Sequence, residues 1–504
     1  MKNLSQYTNS RLLLFSAIAA LYLLKLFLFD VLCVPVVTII EYSGFSWSAG
    51  NWLAKITISM LCASIVLVTN KRWPNIVLML ILDAWIVANL TYYKLNLLYL
   101  NWGIIRQATN LIGFEDSILP LLSFRMLLFP AITILAELLM LRFKASQRPS
   151  WITVAGVFIV IVACEAATLG LRARFVHQRC GEDSNAEVFA IMKLPEVLKI
   201  DRSAVELETT YYIQMHSIAM YLVRECYHAV SFRHEQDIAL TEQEQAFLAE
   251  RISEPTAPNP VEGHLVFIML ESFESWLLDA KDADGNYVCH RLRAWMERHP
   301  HLLSYKMRSE HLYGQSGDGQ LIDMTGLLPL TEGVACNDYG TNVYPNFAHF
   351  YDNAVIINPM RGVWNQDVVT HSYGFRKIIQ STNADICLGN DDIIFSTAID
   401  ELEKADVPTC LLALSFSMHM PFERATLPLT LDPALPTIVA NYLQSARYTD
   451  EHLGRLLEWT EQSPQMENAT IIITADHNIL NSDLDPDPTH WRYLPFIAVS
   501  PTIT

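Results

Sequence analysis

The chain has 504 residues, 51% of them hydrophobic, and a formal net charge of −18. A mean hydropathy of +0.22 is too high for an ordinary soluble enzyme, so part of the chain belongs in lipid. The acidic excess, with no basic stripe or recognition helix in the polar part, excludes nucleic acid as a partner.

Five apolar runs lie in the first third, near residues 12–34, 52–69, 75–92, 120–141 and 151–170. Each approaches the roughly 20 residues that a helix needs to cross a bilayer. One such run alone can be a buried core helix, but five in succession predict a transmembrane bundle, with the chain integral to the membrane. Lys71 and Arg72, then Arg142, Lys144 and Arg148, place the second–third and fourth–fifth loops in the cytoplasm, with Lys2 and Arg11 putting the N-terminus there too. An odd number of crossings delivers everything after residue 172 outside. The first run continues past the small residues 16–20 without a cleavage-like site, as in an uncleaved signal anchor. Lys25 and Asp30 interrupt it and are expected to snorkel or pair within the bundle, with a lipid-headgroup contact as the alternative.

Residues 1–172 therefore form a five-helix transmembrane domain, and 173–261 read as an extracytoplasmic helical connector, helical near 211–227 and Pro-rich over 254–260. Over 262–504 the texture changes. Short apolar strands at 264–270, 354–357, 409–415 and 470–474 alternate with helices, the clearest over 438–459, and their wide spacing predicts an extracytoplasmic α/β domain. The nine cysteines contain no Cys-x-x-Cys pair. Disulfides among Cys180, Cys226, Cys289, Cys336, Cys387 and Cys410 stand as one alternative and free thiols as the other.

Reactive residues of open α/β sheets gather at the carboxyl ends of strands. Glu271 follows the first strand, Asp476 and His477 follow the strand at 470–474, and Ser316 lies in the glycine-rich loop 313–320. Singly, an Asp-His pair after a strand is more often a capping pair. Jointly, two carboxylates, an imidazole and a hydroxyl suit one divalent metal ion, and this mixed set does not select among Mn²⁺, Zn²⁺ and Mg²⁺. An ion over Ser316 would favour its alkoxide and neutralise a phosphoryl oxygen, which points to phosphoryl or related group transfer. The loop lacks the Gly-Lys-Ser/Thr of a P-loop, which argues against nucleoside triphosphates.

Five segments occur in a familiar order: 269–274 with Glu271, 314–318 with Ser316, 417–422 with His419, 448–454, and 475–477 with Asp476 and His477. This order resembles lipoteichoic-acid synthase and the related phosphoglycerol and phosphoethanolamine transferases of the alkaline phosphatase/sulfatase superfamily. The resemblance implies a five-helix membrane bundle joined to an external sulfatase-type α/β domain. It also implies a metal held by Glu271, Ser316, Asp476 and His477, with Ser316 at the place of the family's nucleophilic threonine. Ser316 would attack a membrane phospholipid donor, release diacylglycerol and hold the head group as a covalent phospho-intermediate until a glycan or lipid acceptor takes it. His419 would contact the phosphate as charge stabiliser or acid; the alternative is a structural histidine in a turn.

The segment 364–367 (Trp-Asn-Gln-Asp) resembles the family's substrate-binding Trp-Asn-Arg-Asp, so Trp364 is expected to pack on the head group. Gln366 stands in place of the family's arginine, and the histidine usual just before this segment has no clear match, which makes Arg361 a substitute phosphate contact. The strand-like 494–501 is followed by none of the family's last helix and strands, predicting either a shortened member or an incomplete chain, with an exposed apolar edge. No Cys-x-Pro-x-Arg or Ser-x-Pro-x-Arg segment supports a formylglycine sulfatase. The expectation is a phosphoglycerol or phosphoethanolamine transferase of a bacterial inner membrane. The alternatives are a non-catalytic lipid-binding or regulatory protein on the same fold and a phosphodiesterase with water as acceptor.

Overall fold

The computed structural model describes residues 2–33, 45–69, 71–96, 99–106, 121–142, 151–180, 213, 217–231, 242–243, 245–246, 262–330, 333–359, 363–380, 391–420, 422, 427–479 and 493–501. The chain divides into two compact units, 1–105 with 118–232, and 106–117 with 233–504.

The first unit is built on five long helices: α1 (Lys2–Cys33), α2 (Phe45–Ala63), α3 (Trp73–Asn96), α4 (Leu128–Arg142) and α5 (Trp151–Cys180). Among the described residues five stretches are long and apolar enough to span a membrane, Arg11–Leu32, Ala49–Val68, Trp73–Lys94, Phe124–Arg142 and Trp151–Thr168, the second running past the end of α2 and the fourth starting one turn before α4. Large apolar side chains such as Leu80, Leu138 and Ile159 face outward from these helices, as lipid contact requires. The charges within the bundle face inward and pair. Lys25 is 0% exposed and bonds Asp83 on α3 and Thr133 on α4, while Lys55 on α2 pairs with Asp30 and donates to Asn51 Oδ1 at 2.6 Å. Both interruptions of the first span are therefore intra-bundle pairs, because an unpaired charge there would be far costlier than a matched one.

Helix α6 (Ile218–Ser231) also packs in this unit, although it falls within the stretch read as a connector. Trp85 Nε1 on α3 donates to Ile218 O at 3.1 Å, and the amide of Trp102 donates to Glu225 Oε2 at 2.7 Å. The Tyr221 ring lies 5.8 Å from that of Trp85, so buried aromatic contacts draw this helix onto the bundle. The Pro-rich 254–260, as well as Lys144, Arg148 and Cys387, lie outside the described residues.

The second unit is a seven-stranded mixed sheet with helices. Its strands are β1 (Leu265–Leu270), β2 (Leu303–Arg308), β3 (Asn353–Asn358), β4 (Lys377–Gln380), β5 (Thr409–Leu414), β6 (Thr470–Ala475) and β7 (Tyr493–Val499), in the order β2-β7-β6-β1-β5-β3-β4. Its longer helices are α7 (His290–Arg298), α8 (Ser316–Thr325), α9 (Gln366–Ser372), α10 (Asp391–Glu403) and α11 (Thr437–Gln462). Strand β1 is central and parallel to both neighbours, Leu265 pairing with Cys410 and with Thr470. Every residue of β1 is buried, which is why it reads as an unbroken apolar run rather than an alternating one. Leu453, Leu456 and Leu457 of α11 join Val266, Ile268, Leu411 and Ile473 of the sheet in one core.

The four sequence-predicted strands are β1, β3, β5 and β6. The two that sequence patterning passes over, β2 and β4, are the sheet's edges, where polar residues such as Lys306 and Lys377 replace the apolar signal. Strand β7 is not the exposed apolar edge that was expected: it runs antiparallel between β6 and β2, with Ile473 opposite Ile497 and Met307 opposite Leu494. Among the described residues Cys62, Cys164, Cys226, Cys289, Cys336 and Cys410 are free thiols.

Candidate metal centre and active site

Strands β1 and β6 are adjacent and in register to their ends, Leu270 beside Ala475, so the residues that follow them emerge side by side. Those residues are Glu271, then Asp476 and His477, all buried. Helix α8 brings the third component. It approaches β6 so closely that a Cβ on Gly319 would stand 1.9 Å from Asp476 O, and a side chain there is excluded. Ser316 opens this helix, where unpaired amide dipoles favour an anion.

The result is four residues whose donor atoms converge. Ser316 Oγ is 3.3 Å from Glu271 Oε2 and 3.3 Å from His477 Nε2, which is in turn 3.4 Å from Glu271 Oε1 and 3.5 Å from Asp476 Oδ2. A four-coordinate ion with arms of about 2.1 Å separates its ligands by about 3.4 Å. The donor set thus fits a divalent cation in both chemistry and spacing. Ligand atoms of Glu271, Asp476 and His477 form the one His/Cys/Asp/Glu cluster of this kind among the described residues.

The supporting contacts aim each ligand. Asp476 Oδ1 accepts the amides of Ser272 at 2.9 Å and His477 at 2.8 Å, which turns Oδ2 toward the cluster. Ser272 Oγ donates to Glu271 Oε1 at 2.7 Å. His477 Nδ1 lies 3.1 Å from Asn478 O, so with its proton there it leaves Nε2 as a ligand. Ser272 holds these contacts at φ 49°, a left-handed backbone that costs on the order of 1–3 kcal/mol and persists where its surroundings impose it.

Electrostatics mirror the concentration of charge. Burial and the charge of Glu271 push Asp476 above the usual carboxylate range, against the pull of His477. Burial alone would raise Glu271, but its bond to His477 and the charges of His477 and His419 outweigh that and hold it low. For His477 burial lowers proton affinity, and Asp476 and Glu271 more than reverse it.

The remaining predicted residues divide. His419 follows β5, its ring stacked on Phe416 at 4.9 Å and its Nδ1 2.8 Å from Met420 O, with its charge felt at Glu271. Trp364 lies against α8, its Cδ2 3.3 Å from where a Cβ of Gly317 would stand. Arg361 is outside the described residues. Gln366 is 6% exposed and donates to Gln320 Oε1 at 2.6 Å.

The segment 448–454 has a structural role. Thr449 Oγ1 donates to Asp391 Oδ2 at 2.7 Å, and Asp450 accepts the amides of Arg291 and Leu292, each at 2.9 Å, so capping α7. Asp318 similarly accepts the amides of Leu312 and Gly314 at 2.9 and 2.8 Å, closing the serine loop. Sequence reasoning missed His311, which is 0% exposed with its ring 5.3 Å from that of His477. No motif marks it, because its place depends on the loop's return toward β6.

Comparison with known proteins accounts for both units. Residues 1–179 match the lipoteichoic acid synthase N-terminal domain, and residues 334–492 match the sulfatase family. Lipoteichoic acid synthase 1 of Bacillus subtilis (strain 168) is 26% identical over 232 residues, 43% of this chain and 36% of its own length. Lipoteichoic acid synthase of Staphylococcus aureus (strain USA300) is 24% identical over 253 residues, 44% of this chain and 38% of its own. The chain thus covers little more than a third of the curated relatives it matches. Lipooligosaccharide phosphoethanolamine transferase A (EptA) from Neisseria meningitidis superposes over 97% of this chain and 88% of its own, with TM-score 0.53 at 12% identity, a likeness of fold. With a segment matching the lipoteichoic acid synthase N-terminal domain in front of one matching the sulfatase family, the chain is similar in its order of parts to the lipoteichoic acid synthases.

Proposed function

We propose that this protein transfers a phosphoglycerol or phosphoethanolamine head group from a membrane phospholipid to a glycan or lipid acceptor on the outer side of a bacterial inner membrane. The observation that carries the reading is a hydroxyl placed within 3.3 Å of both a carboxylate and an imidazole ligand at the start of a helix. Glu271, Ser316, Asp476 and His477 would hold one divalent ion. The mixed oxygen and nitrogen donors suit Zn²⁺, Mn²⁺ or Mg²⁺ and do not choose among them. The bound ion would lower the proton affinity of the Ser316 hydroxyl and neutralise a phosphoryl oxygen.

Ser316 Oγ, deprotonated, attacks phosphorus; the bond to the diacylglycerol oxygen breaks, and His419 supplies the proton that oxygen takes up. The acceptor hydroxyl then attacks the phosphoserine, its proton passes to His419, and Ser316 Oγ leaves as the alkoxide. Trp364 forms a wall for the head group, and Arg361 contacts the phosphate. The layout this requires is a membrane domain over 1–172, a connector over 173–261 and an extracytoplasmic catalytic domain over 262–504.

Diacylglycerol release from labelled phosphatidylglycerol and phosphatidylethanolamine is the test, with detergent-solubilised protein and added Mn²⁺ or Zn²⁺. Release is expected to need the metal and to fall by about 10³-fold or more in Ser316→Ala. Bound metal should disappear in Asp476→Ala and His477→Ala. No release from either lipid by folded, metal-loaded protein would overturn the reading.

A further inference from the structure

Two consecutive residues beside the nucleophile helix adopt left-handed backbone, Trp364 at φ 52° and Asn365 at φ 51°. Asparagine tolerates that conformation; tryptophan seldom adopts it. Such a turn persists only where its surroundings fix it. One tether is Asn365 Nδ2, which donates to Cys336 O at 2.9 Å. The other follows immediately: Gln366 Nε2 donates to Gln320 Oε1 at 2.6 Å, and Gln366 Oε1 accepts from Asn358 Nδ2 at 3.3 Å and Thr370 Oγ1 at 3.2 Å. Gln320 lies one helical turn beyond Ser316 on the same face of α8, and Asn358 is the last residue of β3. A single amide thus joins a strand end, the Trp364 turn and the helix that carries the nucleophile.

Plain packing does not require this arrangement. Gln320 is 1% exposed, and its Nε2 has no hydrogen-bond partner among the described residues, a deficit that an apolar pair would avoid. We propose that Gln366 and Gln320 are a positioning pair, which sets the Trp364 indole against Gly317, the residue after Ser316, and so fixes the head-group wall without touching the head group. The inference rests on the reading of Ser316 as nucleophile and Trp364 as that wall.

The test is a double-mutant cycle on the full-length, metal-loaded protein, read as affinity for sn-glycerol phosphate and O-phosphoethanolamine, with metal content and thermal midpoint recorded for each variant. Gln366→Leu should weaken binding about tenfold with bound metal unchanged, yet change it less than about twofold in a Trp364→Ala background, because the pair acts through Trp364. Gln320→Leu should behave alike. An undiminished effect of Gln366→Leu in the Trp364→Ala background, or wild-type affinity in both leucine variants, would overturn the pair. So would equal loss of metal and affinity in both, which is the pattern of a general packing defect. Expected coupling without diacylglycerol release would remove the transferase reading and leave the pair standing; release without coupling would do the reverse. Failure of the wild type to bind either analogue or release diacylglycerol would remove both.

Discussion

The closest backbone approach in the site makes Gly319 its most sensitive position. In Gly319→Ala the new Cβ would begin 1.9 Å from Asp476 O and 2.6 Å from its carbonyl carbon, neither of them the movable end of a side chain. Contacts under 3.0 Å do not occur for real Cβ atoms, so α8 and the end of β6 must separate by about 1 Å. Overpacking of that kind costs about 1–3 kcal/mol, which a folded core tolerates. The donor cluster does not tolerate it: Ser316, three residues earlier on the same helix, moves away from His477, opening a spacing that is 3.3 Å at rest. A misplacement of about 1 Å in reacting groups lowers rate by about 100-fold. Metal per protein after purification and diacylglycerol release should both fall in Gly319→Ala. Gly156→Ala, with nothing within 4 Å of the new Cβ, should match wild type in both. Wild-type metal content and turnover in Gly319→Ala would refute the claim that this contact sets the site.

Two further outcomes follow from buried polar groups outside the site. Lys25→Met should lower the thermal stability of the detergent-solubilised chain by about 3–5 kcal/mol, since it strands Asp83 in the bundle, and Lys25→Met with Asp83→Leu should recover most of that loss. If the double variant is no more stable than the single, the pair is not what holds those helices. Asp450→Ala should remove the cap of α7 at a cost of about 1–2 kcal/mol by denaturant unfolding while bound metal stays at wild-type level; metal loss would assign Asp450 to the site instead.

The bundle and the central sheet were legible because burial on all sides leaves continuous apolar runs, as in β1 and the five spans. The clustered candidate ligands were legible for a related reason: residues just past a buried strand have one place to go, so Glu271 and Asp476 were marked by position. Three features stayed hidden. Edge strands β2 and β4 carry lysines that mask their pattern. The segment 448–454 was recognisable as a motif, yet its work in capping α7 and holding Asp391 depends on partners about 60 to 160 residues away. Gln366 read as a lost arginine, and only packing reveals that its side chain turns inward to Gln320.

The pairing of β1 with β6 also times the making of this protein. Leu265 waits for Thr470, and Ser316 meets His477 only after another 160 or so residues have been added. At about 5–20 residues per second, synthesis leaves roughly 10–30 s in which the serine exists without its partners. Until then a nascent chain holds Ser316 and Glu271 without Asp476 and His477, so the cluster does not exist on the growing chain. The four residues can converge only once β6 has been made and paired with β1.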